Sequence, residues 1–225
     1  MENYLKVITT DYIESLIRCP HKFFHQHHLS FDTKQEKRRK IVQQVINQVI
    51  KEYYLLLPEM KNKFNFLKLI DKYWKNIHPN IFESRADYYI HLAKITDHLL
   101  QFLTVDRQKR PPLFLYQTFN AYIEDLGTEL SLTFEVGEWT KDSFIVKKFL
   151  VEADEYLMNL YHNLIVVFSH EAFGKLPEKI EMITLLEGKK HTLPVTSEQV
   201  TRGKQYLSLL KNFLKQPNKF KIEIH

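Results

Sequence analysis

The period of the apolar positions changes several times along the chain, and each change predicts an element. From Leu130 to Val136 (LSLTFEV) and from Phe144 to Val151 (FIVKKFLV), β-branched and aromatic residues are dense, which predicts two strands. Between them Gly137, Thr140, Lys141, Asp142 and Ser143 are turn formers, so the pair reads as a hairpin. After Val151 the spacing becomes helical, with Ala153, Tyr156, Leu157, Leu160, Tyr161, Leu164 and Val167 on one face. The middle of the chain is therefore strand, turn, strand, helix.

Upstream the pattern is helical. Asp11 and Glu14 have the spacing of an N-capping arrangement, and Tyr12, Leu16 and Cys19 recur on one face until Pro20 interrupts it. A second helix, Arg39 to Glu52, carries Ile41, Val45 and Val49, a stripe that Tyr53 continues just past its end, with Val42, Ile46 and Ile50 beside them. That broad stripe belongs inside. Two more helices follow between Pro58 and Leu103, split near Pro79-Asn80 and mixing basic with aromatic residues. Such a mixture suits a surface for stacking single strands, but Phe66, Ile70, Tyr73 and Trp74 have the helical spacing of a core. Asp106 to Pro112 is a polar linker closed by two prolines. It divides a helical part, 1–110, from a mixed part, 111–225, and the two are expected to pack as one unit.

Beyond the linker, Leu113 to Ile123 reads as a strand, and Ile180 to Leu186 with His191 to Val195 as a second hairpin around Glu187-Gly188-Lys189-Lys190. Thr196, with Gln199 three residues on, caps a last helix that ends before Pro217. The fold class is thus α+β (α/β): a small mixed sheet flanked by helices, with an N-terminal helical region.

Composition narrows the classes. At 225 residues and 44% hydrophobic content the chain can bury a sizeable core. Its longest uncharged apolar run, Leu164 to Phe168, is too short to span a bilayer, and MENYLKVITTDY has no apolar signal region, so a cytoplasmic protein without membrane partners is expected. The single cysteine, Cys19, excludes an intrachain disulfide and a four-cysteine iron–sulfur cluster. Cys19 could be drawn into a metal site with His21, His25, His27 and His28, but no second ligand pair stands at zinc spacing. An aromatic, histidine-rich helix end packed on the core is the preferred reading. No Walker loop, GxSxG or CxxC pair supports nucleotide hydrolysis, acyl transfer or thiol redox chemistry. A net charge of +5 permits binding to a phosphate backbone without demanding it. In KQEKRRK, Lys34, Lys37, Arg38, Arg39 and Lys40 are candidate phosphate contacts, the alternative being a solvated helix start.

Four segments, in this order, carry a resemblance: Ile17-Arg18-Cys19-Pro20-His21-Lys22-Phe23-Phe24, the helix Arg39 to Glu52, the hairpin, and LLEGKKHTLPVTSEQ from Leu185 to Gln199. Together they resemble the PD-(D/E)XK nuclease superfamily, in the branch of the RecB and AddB nuclease domains. That resemblance implies strand carboxylates holding Mg²⁺ or Mn²⁺ and a lysine polarising water. Aligned with the family's motifs, Leu132 falls at a glycine and Glu135 at the metal-binding aspartate. Lys147 falls at the second carboxylate and Phe149 at the lysine. Gln43 replaces a histidine, Leu157 a glutamine, and Tyr161 alone is kept from the late motif. One carboxylate beside a lysine is a poor site for a hard cation.

The expectation is a nuclease fold without a metal cofactor, serving in DNA metabolism as a docking module or as a holder of nucleic acid through its phosphates. Lys147 would supply charge at the old metal position. Two alternatives stay open: an active Mg²⁺-dependent nuclease using Glu135 with Glu152 or Asp154 and Lys148, and a purely structural module for a protein partner. Strand alternation predicts that Lys148 faces away from Lys147 and Phe149.

Overall fold

The central strands carry apolar side chains on two faces, with the alternation broken between Phe134 and Val136, which lie two residues apart but on opposite faces, and the computed structural model, which describes residues 7–18, 33–104 and 111–215, has a core on each. In chain order the elements are β1 (Val7–Thr9), α1 (Thr10–Arg18), α2 (Lys34–Leu55), α3 (Lys63–Trp74), α4 (Arg85–Thr104), β2 (Phe114–Ile123), β3 (Thr128–Trp139), β4 (Phe144–Leu150), α5 (Glu155–Phe173), β5 (Lys179–Thr184), β6 (Lys189–Pro194) and α6 (Ser197–Lys215). The fold is α+β.

β3 organises the sheet. Along one edge it pairs antiparallel with β2, from Ile123↔Thr128 to Phe114↔Gly137. Its other edge is shared: β1 pairs parallel at Glu129 to Ser131, and β4 antiparallel at Val136 to Trp139. β4 then pairs parallel with β5, and β5 antiparallel with β6. A parallel step needs a crossover, which α5 supplies. On one face Leu130, Leu132, Phe134, Phe144, Val146 and Leu150 pack with residues of α1, α5 and α6. On the other, Val136, Phe149, Val151, Ile183 and Leu185 pack with residues of α2, α3 and α4. Helices from before the linker and strands from after it therefore share one buried cluster.

The local chemistry explains the boundaries. α2 begins at Lys34, earlier than the apolar stripe suggests, because Thr33 and Glu36 form a capping box. Asn62 caps α3 and Asp154 caps α5, each accepting the backbone N–H of the residue three positions on, Asn65 and Leu157. At α1 the cap is Thr9, whose hydroxyl oxygen accepts the Tyr12 N–H, and Glu14 is left to turn inward. Gly137 lies within β3 rather than in the turn, since the Phe114 ring occupies the space a Cβ would need. Phe66, Ile70 and Trp74 are core residues, as their spacing predicts. Cys19, His21, His25, His27 and His28 lie outside the described residues, as does most of the linker. Among the described residues no helix is long and apolar enough to cross a membrane.

Candidate functional site

Between Ser131, the last partner of β1, and Val136, the first partner of β4, this edge of β3 has no strand beside it. From Lys148 onward β4 is paired with β5 alone. The parting of the strands opens a notch and leaves backbone groups of β4 to be satisfied by side chains. Glu135 accepts the Phe149 N–H through Oε2 at 2.7 Å. Gln43, from α2, donates to the Phe149 carbonyl at 2.8 Å and accepts the Val151 N–H at 2.9 Å. Its amide thus stands in for a missing stretch of neighbouring strand.

The notch is also a charge cluster. Lys148 Nζ lies 2.5 Å from Glu135 Oε1 and 4.0 Å from the centre of the Tyr161 ring, a cation–π contact. The Tyr161 hydroxyl, on α5, donates to Glu14 Oε2 on α1. Glu14 Oε1 in turn accepts from Arg18 Nε at 2.6 Å and Arg39 Nη1 at 2.7 Å. Arg18 also reaches the Glu152 carbonyl at 3.3 Å. Burial pushes the Glu14 carboxyl up, but the Tyr161 hydrogen bond and the Arg18 guanidinium outweigh it and bring it down to about 2. Burial and the Glu14 charge raise the Tyr161 phenol well above its ordinary range, so it remains a donor. Lys148, Arg18 and Arg39 face two carboxylates, and the cluster carries one net positive charge.

Only some of the sequence candidates meet here. Lys147 faces the α2–α4 layer with Phe149 and Val151, while Lys148 faces α5, as alternation predicts. Lys147 is 7% exposed and its ammonium is 2.7 Å from Glu138 Oε2. Glu138 also accepts from the Tyr54 hydroxyl at 2.8 Å. Lys147 therefore does not bring charge to the notch, which corrects its alignment with a metal position. The reason is the register: Val136 lies opposite Lys147, so Glu135, one residue earlier, goes with Lys148, one residue later. On the face of Glu135 the strand presents Val146 and Lys148, a one-residue shift from Lys147 and Phe149. Val146 is buried and apolar; a lysine stands in the notch and no second strand carboxylate does.

The remaining candidates separate in the same way. Arg39 joins the cluster, and Arg38 pairs with Asp87 at 2.9 Å. Lys34, Lys37 and Lys40 are exposed along the first turns of α2. Asp154 is occupied as the α5 cap, and Glu152 meets the cluster through its carbonyl. Sequence alone does not mark Glu14 and Arg18 as site residues, although their four-residue spacing is that of a helical ion pair.

A hard divalent ion prefers carboxylate oxygens with several waters and an octahedral shell. Glu14 and Glu135 are already engaged by three cations, and among the described residues no group of three acidic, histidine or cysteine side chains is assembled. The cavity bordered by Glu135, Val146, Lys148, Tyr161 and Ile165 measures about 10 Å³, room for about one water. This donor set does not fit Mg²⁺ or Mn²⁺. Comparison of the sequence with protein-family models gives no match, and comparison with curated proteins gives none either.

Proposed function

We propose that the chain is a PD-(D/E)XK nuclease-like protein that has exchanged metal catalysis for an internal charge cluster, and that it holds nucleic acid by the phosphate backbone without cutting it. The observation that carries this reading is the double engagement of Glu135, by Lys148 at 2.5 Å and by the Phe149 N–H at 2.7 Å. With an ammonium on one oxygen and a backbone N–H on the other, the Glu135 charge is already balanced, which disfavours a divalent cation beside it, and Val146 gives it no partner acid. Three further features support phosphate binding. The cluster is net positive, Arg39 links it to α2, and exposed Lys34, Lys37 and Lys40 extend the positive charge along that helix. Contacts of this kind go to the backbone and carry no sequence preference.

The test is binding and cleavage on labelled single-stranded DNA, duplex DNA and RNA, at low salt, with and without Mg²⁺ or Mn²⁺. Salt-sensitive binding without cleavage is expected, weakened in the Lys34→Glu, Lys37→Glu double variant. Metal-dependent cleavage that disappears in Glu135→Gln would overturn the loss of catalysis. Absence of binding to all three polymers would leave the protein-docking reading.

A further inference from the structure

The helical layer contains an open groove of 520 Å³ between α3 and α4, unconnected with the charge cluster. Its walls are apolar: Leu67, Ile70 and Trp74 from α3, Leu92 and Leu100 from α4. From Tyr88 to Leu100 the groove follows α4 for ~18 Å, at the helical rise per residue. The Thr96 hydroxyl in its floor is out of solvent and has no hydrogen-bond partner. The Trp74 indole beside it is 2% exposed, with the Tyr88 hydroxyl as its neighbour and the two rings 6.1 Å apart. Buried polar atoms ordinarily have partners. The apolar surface continues outward over Leu67 and, one turn earlier, Phe64, 46% and 65% exposed. At the rims stand Asp71 and Asp97, one on each helix and both exposed. Neither forms an ion pair among the described residues. With Lys75 the lining carries one net negative charge, in a chain whose overall charge is +5, and Lys68 lies over the Phe64 ring at 4.2 Å just beyond it.

We propose that this groove receives an amphipathic helix of a protein partner, its apolar side chains seated between α3 and α4 and its flanking lysines or arginines set against Asp71 and Asp97. The shape favours this occupant. An open trough leaves one side of its ligand in water, which suits a helix with one apolar face, and ~18 Å is about three helical turns.

The chain has two tryptophans, and Trp139 is exposed at the end of β3, so Trp139→Phe leaves Trp74 as the only indole reporter. The probe is a synthetic leucine–lysine peptide with helical apolar spacing, titrated into the full chain in that background. A scrambled peptide and a leucine–glutamate version serve as controls. A saturable change in Trp74 emission is expected with the first peptide alone. Asp71→Asn with Asp97→Asn should weaken it roughly five-fold, the worth of two exposed charge pairs. Ala93→Arg, at an exposed groove position and with a good helix former, should plug the groove and weaken it by more than roughly ten-fold. Binding of labelled DNA should be unchanged in Ala93→Arg, which separates this site from the phosphate-holding surface. The proposal fails if Trp74 emission does not respond, if the scrambled or acidic peptide binds equally well, or if Ala93→Arg has no effect. It also fails if sedimentation shows self-association that Ala93→Arg abolishes, since the occupant would then be a second copy of the chain.

Discussion

With both oxygens engaged, Glu135 is a charge that the sheet interior tolerates only while Lys148 and the Phe149 N–H remain beside it. Lys148→Met removes the cation and leaves the carboxylate buried, a change expected to cost about 3–5 kcal/mol. Glu135→Leu combined with Lys148→Met removes both charges and should recover most of that loss. Urea unfolding of the two variants decides it: a double variant as unstable as the single one would mean that packing, rather than charge balance, is what the pair supplies. Glu14 makes a separate statement about pH. Its folded-state carboxyl titrates at about 2 against an ordinary value of 4.5, because the Tyr161 and Arg18 contacts outweigh burial. A folded value below the unfolded one gives stability that is complete above pH 4.5 and is lost as the pH falls toward 2. The contribution is about 3 kcal/mol by linkage. Glu14→Gln should therefore flatten this part of the acid stability profile, and an unchanged profile between pH 4.5 and 2 would show that Glu14 is not its source.

At the scale of elements, the end of β4 packs on α2 through Phe149 and Val151, and Gln43 hydrogen-bonds its backbone to that helix. Gln43→Ala removes one acceptor from the Val151 N–H and one donor from the Phe149 carbonyl, and is expected to cost about 1–3 kcal/mol. Hydrogen exchange at the Val151 amide should quicken more than at Phe149, whose N–H still has Glu135; equal protection in the variant would mean that the β4 end is held by packing. How much of this was legible follows the range of the interactions. The hairpin, α5 and the apolar stripe of α2 announce themselves in local spacing, because each needs only residues a few positions apart. β1 does not, since three residues of strand have no period to read. Lys147 and Lys148 look alike in sequence, and only the Val136↔Lys147 pairing decides which of them enters the notch. The Asp11–Glu14 spacing suggests a helix cap, yet Glu14 is buried under Arg39 and Tyr161, which come from 25 and 147 residues away. No local pattern encodes a partner at that distance.

For the whole molecule, the sheet separates two kinds of lysine that net charge counts alike. Lys34 and Lys37 stand exposed at the start of α2, whereas Lys147 is enclosed with Glu138 at 2.7 Å and within the field of Glu181. Phosphate binding releases condensed counterions, so the slope of log affinity against log salt becomes shallower by about 0.9 for each duplex phosphate that is no longer neutralised. If the α2 lysines hold the backbone, Lys34→Glu with Lys37→Glu should reduce the slope by about 2 and leave the unfolding midpoint nearly unchanged. Lys147→Glu should do the opposite. It would gather a third carboxylate beside Glu138 and Glu181 in a buried place, at an expected cost of about 3–5 kcal/mol, while the folded fraction keeps the parent salt slope. Measuring duplex affinity over a salt series, with urea unfolding of the same samples, distinguishes the two. A Lys147→Glu protein that folds normally and loses salt dependence would show that the buried ammonium opens to the phosphate, and that the contact surface lies across the sheet rather than along α2.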